Sequence, residues 1–285
     1  MSLCVTPNDL AAVADLVRDL CGIVLDDSKG YLIESRLSQL AQSNGCCSFQ
    51  DLVDKARRLP DDSLANAIID GITTNETLFY RDGSPFEALQ HKALPELIDA
   101  KAGGLFPRRL RIWSAACSTG QEPYSLAMTL SDLIPDIHAW DVRIFGTDIS
   151  DAAIRQASYG RFSKYEIERG MRPDSLNKYW EPAGDGWRAK DEIRGLITFQ
   201  RRNLLQPFSE LGPFDVIFCR NVAIYFAPEA RRGLFLRLAQ VLTPGGYLFV
   251  GASESLSDLG PQFAPQHHCR SVFYQPTKAA VPQKR

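Results

Sequence analysis

The chain of 285 residues contains 45% hydrophobic and 23% charged residues and has a formal net charge of −2, a composition typical of globular proteins. This near-neutral balance excludes nucleic-acid binding through bulk positive charge. No apolar run approaches the roughly 20 residues that a membrane helix needs, and residues 1–10 lack the basic start and apolar core of a signal peptide. We therefore expect a cytoplasmic protein that does not insert into a membrane. The odd number of cysteines, seven, does not suggest a disulfide framework, and no metal site is predicted.

The first 80 residues have the periodicity of four short amphipathic helices. Thr6 and Pro7 form a good helix start, because threonine caps the first turn and proline is tolerated there. Apolar residues then recur at helical spacing, and three further helices are predicted over 29–43, 48–59 and 60–71. Residues 1–80 hold 6 Lys/Arg against 12 Asp/Glu, whereas the remainder holds 26 against 22. This change of sign supports a helical domain that ends near residue 80.

Residues 81–108 are predicted to connect this domain to a larger one, mainly through a helix over 85–101. From residue 109 onward, apolar runs alternate with helical patterns, which indicates a parallel sheet with helices on both faces. Strands are predicted over 110–114, 142–147, 197–201, 216–219, 246–251 and 271–275. Helices are predicted over 121–133, 151–157, 164–169 and 228–242. The predicted fold class is therefore α/β, with a doubly wound, mostly parallel sheet over 109–277 and a small all-α N-terminal domain.

A turn-rich stretch interrupts this alternation. Residues 181–186 read EPAGDG and separate Tyr179-Trp180 from Trp187-Arg188, which is typical of a tight connection between two antiparallel strands. A small antiparallel β-subdomain is therefore predicted over 178–196. The polar tail, 278–285, is expected to be disordered.

Polar residues follow the predicted strands, where doubly wound sheets bind their ligands. A turn of small residues after the first strand contains Glu122, and Asp148 ends the second strand. The later strands are followed by Asn203 and Leu204, then by Arg220, Asn221 and Tyr225, and finally by Glu254. We expect these groups to collect at one edge of the sheet and to form a ligand site.

Asp148 is the most informative of these residues. An acid at the end of the second strand is placed to accept hydrogen bonds from two ribose hydroxyls. The alternative is a helix N-cap, but Ser150 can perform that function itself. An NAD-type dinucleotide and S-adenosylmethionine then compete as ligands. The turn has one glycine and carries Glu122 near the helix start, which disfavours a pyrophosphate and favours S-adenosylmethionine.

Five blocks of the sequence carry a specific resemblance. They lie at 73–81, 113–125 (which includes STGQEPYS), 145–149, 219–226 (CRNVAIYF) and 243–254. In order and spacing they resemble the chemotaxis receptor glutamate methyltransferases, the CheR family of class I S-adenosylmethionine-dependent methyltransferases. The resemblance spans nearly the whole chain and implies a Rossmann-like catalytic domain.

The resemblance also implies roles for individual residues. Asn75, Thr77 and Arg81 reach over the cofactor. Glu122 contacts its amino-acid end and Asp148 its ribose, while Asn203 and Leu204 lie on the adenine side. Arg220 and Asn221 close the pocket near the transferable methyl group. Arg81 and Tyr225 are the active-site residues that position the substrate carboxylate.

The implied activity is methylation of glutamate side chains on the cytoplasmic helices of chemoreceptors, with S-adenosyl-L-homocysteine as product and recruitment to membrane receptor arrays. Two features depart from the family pattern. The N-terminal region has a net charge of −6, and its second helix offers only Lys29 and Arg36 for docking on acidic receptor helices. The turn within 178–196 is compact, so dependence on a receptor C-terminal peptide tether is not expected.

Two other functions remain open from the sequence. The chain could methylate another protein or a small molecule, or it could be a catalytically silent sensor of S-adenosylmethionine or a nucleotide. Retention of both Arg81 and Tyr225 argues against the silent sensor, because a sensor needs only the cofactor contacts.

Overall fold

Four helices form the N-terminal part of the computed structural model, which describes residues 3–59, 62–102 and 108–277. They are α1 (Pro7–Cys21), α2 (Gly30–Ser43), α3 (Phe49–Arg58) and α4 (Ser63–Ile72). Thr6 and Asp9 form a capping box at the start of α1, as the sequence indicates. The apolar faces of the four helices pack around one core that includes Val13, Leu37 and Phe49. The four predicted helices are confirmed, although the expected start of the last one at 60–61 lies outside the described residues.

The connecting helix is continuous but not uniform. It comprises α5 (Ser84–Ala88), a π-helical turn (Leu89–Ala93) and α6 (Leu94–Ala102). The prediction of a single α-helix over 85–101 is therefore corrected by the π-helical turn, which keeps Leu89 and Ala93 buried. Apolar spacing alone does not reveal such a turn. The glycines and proline expected to end this helix, at 103–107, lie outside the described residues.

Strands and helices alternate from residue 109 onward. The strands are β1 (Arg109–Ala115), β2 (Asp141–Asp148), β3 (Arg161–Ser163), β4 (Trp180–Ala183), β5 (Gly186–Ala189), β6 (Ile197–Arg201), β7 (Phe214–Cys219), β8 (Leu242–Val250), β9 (Phe263–His268) and β10 (Ser271–Pro276). The helices are α7 (Gln121–Leu133), α8 (Asp151–Tyr159), α9 (Lys164–Glu168), α10 (Pro173–Tyr179), α11 (Asp191–Arg194) and α12 (Pro228–Val241).

The large sheet has seven strands in the order β6-β2-β1-β7-β8-β10-β9. Along this order, β6, β2, β1, β7 and β8 are parallel to their neighbours, and β10 is antiparallel to both β8 and β9. The predicted doubly wound, mostly parallel sheet is confirmed. The strand order reverses between β1 and β7, so this is the position where a ligand site is expected.

The central strands are buried on both faces. Ile112 and Phe218 pack into the core on one side, whereas their neighbours Trp113 and Ile217 pack into the core on the other. This arrangement explains why these strands read as nearly continuous apolar runs. No helix among the described residues is long and apolar enough to span a membrane.

The small antiparallel sheet has the order β3-β5-β4. The hairpin of β4 and β5 confirms the predicted excursion over 178–196. The third strand, β3, lies before the predicted limits, and helix α10 between β3 and β4 was not predicted. The small subdomain therefore begins earlier in the sequence than expected.

Candidate functional site

An open cleft lies at the carboxyl ends of β1, β2 and β7. The end of α1 and the segment 73–77 form its other walls. All ten predicted site residues line this single cleft: Asn75, Thr77, Arg81, Glu122, Asp148, Asn203, Leu204, Arg220, Asn221 and Tyr225. The expectation that these residues come together is thus met, and the function of each one stays a prediction.

The turn after β1 has an unusual backbone. Ala116 and Ser118 have φ angles of 62° and 51°, in the left-handed region that most residues avoid, and Gly120 has a φ of 99°. A Cβ atom on Gly120 would lie 2.8 Å from the Cβ of Ala157, so glycine is required there. Ala116, Cys117 and Ser118 of this turn line the cleft, and the turn leads directly into α7.

Asp148 holds this turn in place. Its buried carboxylate accepts hydrogen bonds from the backbone N–H of Ser118 (2.8 Å) and of Ser150 (2.9 Å). The side chain of Ser150 accepts from the N–H of Ala153 and caps α8, so the alternative role of Asp148 as N-cap is excluded. Burial raises the pKa of Asp148. A carboxylate has about four acceptor positions, so acceptor capacity remains for a ligand.

Glu122 and Arg220 form a buried ion pair that the sequence did not predict. Arg220 Nη1 donates to Glu122 Oε2 over 3.0 Å, and the hydroxyl of Ser114 donates to Glu122 Oε1 over 2.7 Å. The other terminal nitrogen of Arg220, Nη2, donates to Asp82 Oδ2 (2.6 Å) and to the carbonyl oxygen of Arg81 (2.9 Å). One guanidinium therefore connects the first turn of α7 with the segment that carries Arg81.

Arg81 and Tyr225 both line the cleft and are less buried than Glu122 and Asp148. Arg81 donates to the carbonyl oxygen of Glu76 over 3.0 Å. Tyr225 is the last residue of a 3₁₀ turn (Ala223–Tyr225), and 42% of its surface is exposed. Its carbonyl oxygen accepts from the N–H of Val24 over 2.8 Å, which links the helical bundle to the rim of the cleft.

Asn203 connects the loop after β6 with the bundle. Its side-chain nitrogen donates to the carbonyl oxygen of Leu20 over 2.7 Å, and its side-chain oxygen accepts from the N–H of Leu205 over 2.9 Å. Arg237 of α12 donates to the carbonyl oxygen of Leu204 over 2.7 Å. These contacts fix the backbone of the loop beside the cleft.

Two residues of the site were not assigned a function from the sequence. Asp82 binds Arg220, and its only sequence signal is the turn-forming pair Asp82-Gly83. Glu254 was recognised after the fifth strand of the sheet but received no role. Its carboxylate accepts from the backbone N–H groups of Asn221 (2.8 Å), Ala223 (3.0 Å) and Gly251 (2.6 Å). It therefore supports the turn that presents Asn221 and Tyr225.

Two polar atoms of the cleft residues are consistent with a bound ligand. Arg220 Nε and Asn221 Oδ1 are buried and have no hydrogen-bond partner among the described residues. Buried polar atoms without partners are uncommon in folded proteins. A ligand with both acceptor and donor groups fits this combination.

Comparison with known families agrees with this geometry. Residues 75–270 match the family described as "CheR methyltransferase, SAM binding domain", and residues 8–73 match "CheR methyltransferase, all-alpha domain". Together with the parallel sheet and the cleft at its point of strand reversal, the first match defines a class I S-adenosylmethionine-dependent methyltransferase. The two matches cover most of the chain, which belongs to the CheR methyltransferase family.

The relatives carry the same function in their names. Chemotaxis protein methyltransferase 1 of Pseudomonas aeruginosa is 43% identical over 90% of this chain and 93% of its own length. Chemotaxis protein methyltransferase Cher2 of Pseudomonas putida is 39% identical over the same shares of both chains. Chemotaxis protein methyltransferase 1 of Vibrio cholerae is 42% identical over 85% of this chain and 87% of its own. The protein is a methyltransferase of chemotaxis signalling that uses S-adenosylmethionine.

Proposed function

We propose that this protein methylates glutamate side chains on the cytoplasmic helices of chemoreceptors to give glutamate methyl esters. The observation that carries the proposal is the position of Arg81 and Tyr225. Both line the same cleft as the buried residues Glu122 and Asp148, and both are more exposed than those two residues. A substrate carboxylate held by this pair would lie beside the cofactor.

The cofactor is proposed to lie along the inner wall of the cleft. Asp148 would accept hydrogen bonds from the ribose hydroxyls, and the loop at Asn203 and Leu204 would flank the adenine. Glu122 would contact the amino-acid end, and Arg220 and Asn221 would close the pocket near the transferable methyl group. Asn75 and Thr77 would cover the cofactor from the connecting segment.

The reaction requires no general base from the protein. When bound, S-adenosylmethionine supplies an electrophilic methyl group on a sulfonium sulfur, which a carboxylate oxygen can attack. A glutamate side chain has an ordinary pKa of about 4.3 and is ionised at neutral pH. Burial raises the pKa of Cys21 to about 11 and raises the pKa of Cys117, so both cleft cysteines are neutral thiols. Catalysis by this chain therefore depends on positioning and on exclusion of water.

We propose that recruitment to membrane receptor arrays relies on a small number of lysine and arginine side chains of the helical bundle, which would contact the acidic receptor helices. Arg36 of α2 donates to the carbonyl oxygens of Ile72 and Thr73, both over 3.1 Å, and is therefore engaged within the protein. Lys55, Arg57 and Arg58 on α3 are proposed as the docking group instead. Lys55 donates to the carbonyl oxygen of Asn44 over 2.6 Å, whereas Arg57 and Arg58 are exposed and lie 3.8 Å and 4.0 Å from their acidic neighbours. We also propose that receptors lacking a C-terminal peptide tether are methylated as well as receptors that have one.

The proposed function is tested by incubating the protein with methyl-labelled S-adenosylmethionine and receptor-containing membranes, followed by mild alkali. Release of volatile labelled methanol is expected, because carboxyl methyl esters hydrolyse in alkali. Label that resists alkali would instead indicate N-methylation. Cofactor binding without any transfer would indicate a sensor, and either result would overturn the proposal.

Removal of the Tyr225 hydroxyl is expected to slow transfer strongly. The Tyr225→Phe variant keeps the ring but loses the group that would orient the substrate carboxylate, so kcat should fall about tenfold or more. Cofactor affinity, measured by calorimetry, should stay within about twofold of wild type, because phenylalanine preserves the shape of the cleft. A normal kcat would show that Tyr225 only packs at the rim.

Loss of the Asp148 carboxylate is expected to weaken cofactor binding. Hydrogen bonds to a charged group contribute about 1.5–3 kcal/mol, so the Kd of S-adenosylmethionine for Asp148→Ala should rise about tenfold to a hundredfold. With saturating cofactor, kcat should recover most of its wild-type value. Asp151→Ala, at the start of α8, serves as the control. An unchanged Kd for Asp148→Ala would exclude the ribose contact.

A further inference from the structure

The backbone on both sides of Arg81 adopts an uncommon conformation. Tyr80 has a φ of 50° and Asp82 a φ of 69°, and neither is a glycine. Left-handed backbone at such residues is rare and persists where surrounding contacts enforce it. Arg81 is therefore presented by a segment whose shape depends on its anchors.

The anchors come from two separate elements. The N–H of Tyr80 donates to Ser125 Oγ of α7 over 3.0 Å. On the other side, Arg220 Nη2 donates to the carbonyl oxygen of Arg81 over 2.9 Å and to Asp82 Oδ2 over 2.6 Å. The segment is thus held at three consecutive residues.

Arg220 is well suited to fix this segment. Its side chain is only 2% exposed, and its Nη1 is held by Glu122 on the opposite side. A buried guanidinium with two carboxylate partners has little freedom to move, because charge-assisted hydrogen bonds are strong and directional. Asp82 is therefore connected through one rigid side chain to Glu122 in the first turn of α7, which lines the cleft.

We infer that Asp82 is a positioning residue for methyl transfer, which sets the place of Arg81 relative to the cofactor through its bond to Arg220. Asp82 need not touch either substrate. The inference rests on the proposed function, because it takes Arg81 to hold the acceptor carboxylate. It assigns Asp82 an effect on turnover that is separate from cofactor affinity.

The Asp82→Asn variant isolates the carboxylate. Asparagine has nearly the same size and tolerates left-handed backbone, so the backbone conformation is not penalised. We expect kcat to fall about tenfold to a hundredfold, since small displacements of a positioning group have effects of this size. The Kd of S-adenosylmethionine should stay within about twofold, because the Arg220–Glu122 pair remains. The stoichiometry of cofactor binding should equal that of wild type.

Two comparisons separate positioning from a general structural role. Asp185→Asn removes another exposed acid that pairs with an arginine, Arg161, and should leave kcat unchanged. In an Arg81→Ala background, Asp82→Asn should change the residual rate less than about twofold, because residues that act through one another are not additive.

Three results would overturn the inference: a wild-type kcat for Asp82→Asn, an effect that is undiminished in the Arg81→Ala background, or a loss confined to the Kd of the cofactor. Failure of the proposed function is a different result. In that case the wild-type protein itself would form no alkali-labile ester with receptor membranes.

Discussion

Replacement of Arg81 by alanine is expected to slow methyl transfer at least about a hundredfold, because a misplaced substrate group loses about this much rate. A guanidinium has five N–H donors in a planar fork, which matches a carboxylate. One donor of Arg81 binds the carbonyl oxygen of Glu76, which orients the group at the cleft. The remaining donors would hold the substrate carboxylate. The measurement is the initial rate of alkali-labile ester formation at saturating cofactor.

The controls for this variant test charge and location. Arg81→Lys keeps the positive charge but loses the fork, so its rate should lie between those of wild type and Arg81→Ala. Arg143→Ala removes an exposed arginine of β2 that pairs with Asp141, away from the cleft, and should behave as wild type. Turnover of Arg81→Ala within about twofold of wild type would remove Arg81 from the proposed active site.

The parts of the fold that the sequence predicts are those with strong local signals. The central strands are buried on both faces, so apolar residues such as Trp113 and Ile217 occupy consecutive positions. Helix α7 has the predicted limits, because a left-handed turn ending at Gly120 precedes it. In these segments local propensity and tertiary burial favour the same structure.

The elements that were missed have weak local signals. Strand β9 lies at the edge of the sheet and contains Pro265, which is typical of edge strands but lowers any strand prediction. Strand β3 has three residues, and α10 has seven. Pairing with β5 and packing of Tyr179 stabilise them, and neither interaction is visible in a short window of sequence.

The candidate site also has a part that the sequence predicts and a part that it does not. The clustering of the candidate residues was predictable, because the carboxyl ends of parallel strands meet at one edge. The hydrogen-bond partners of these residues were not predictable. Asp82 and Arg220 are separated by 138 positions, and Asn203 and Leu20 by 183. Such contacts depend on how the connecting segment and the bundle lie against the sheet, which local patterns do not encode.

Arg220→Met is expected to lower both stability and activity. Removal of one partner from a buried ion pair leaves an uncompensated charge and costs about 3–5 kcal/mol of unfolding free energy. The affected group is mainly Glu122, whose side chain is 12% exposed, whereas Asp82 at 38% is better hydrated. Urea denaturation of the full chain without cofactor measures the loss. Ester formation should become undetectable or nearly so, since the anchor of the Arg81 segment is also removed.

The double variant Arg220→Met/Glu122→Gln separates these two effects. Neutralising Glu122 removes the buried charge, so much of the lost stability should return. Turnover at saturating cofactor should stay low, because the segment around Arg81 still lacks its anchor. A single Arg220→Met variant within about 1 kcal/mol of wild type would mean that water or movement compensates Glu122. Recovery of turnover in the double variant would mean that Arg220 affects catalysis only through Glu122. The hydrogen bond between Arg220 and Asp82 would then make no contribution to turnover.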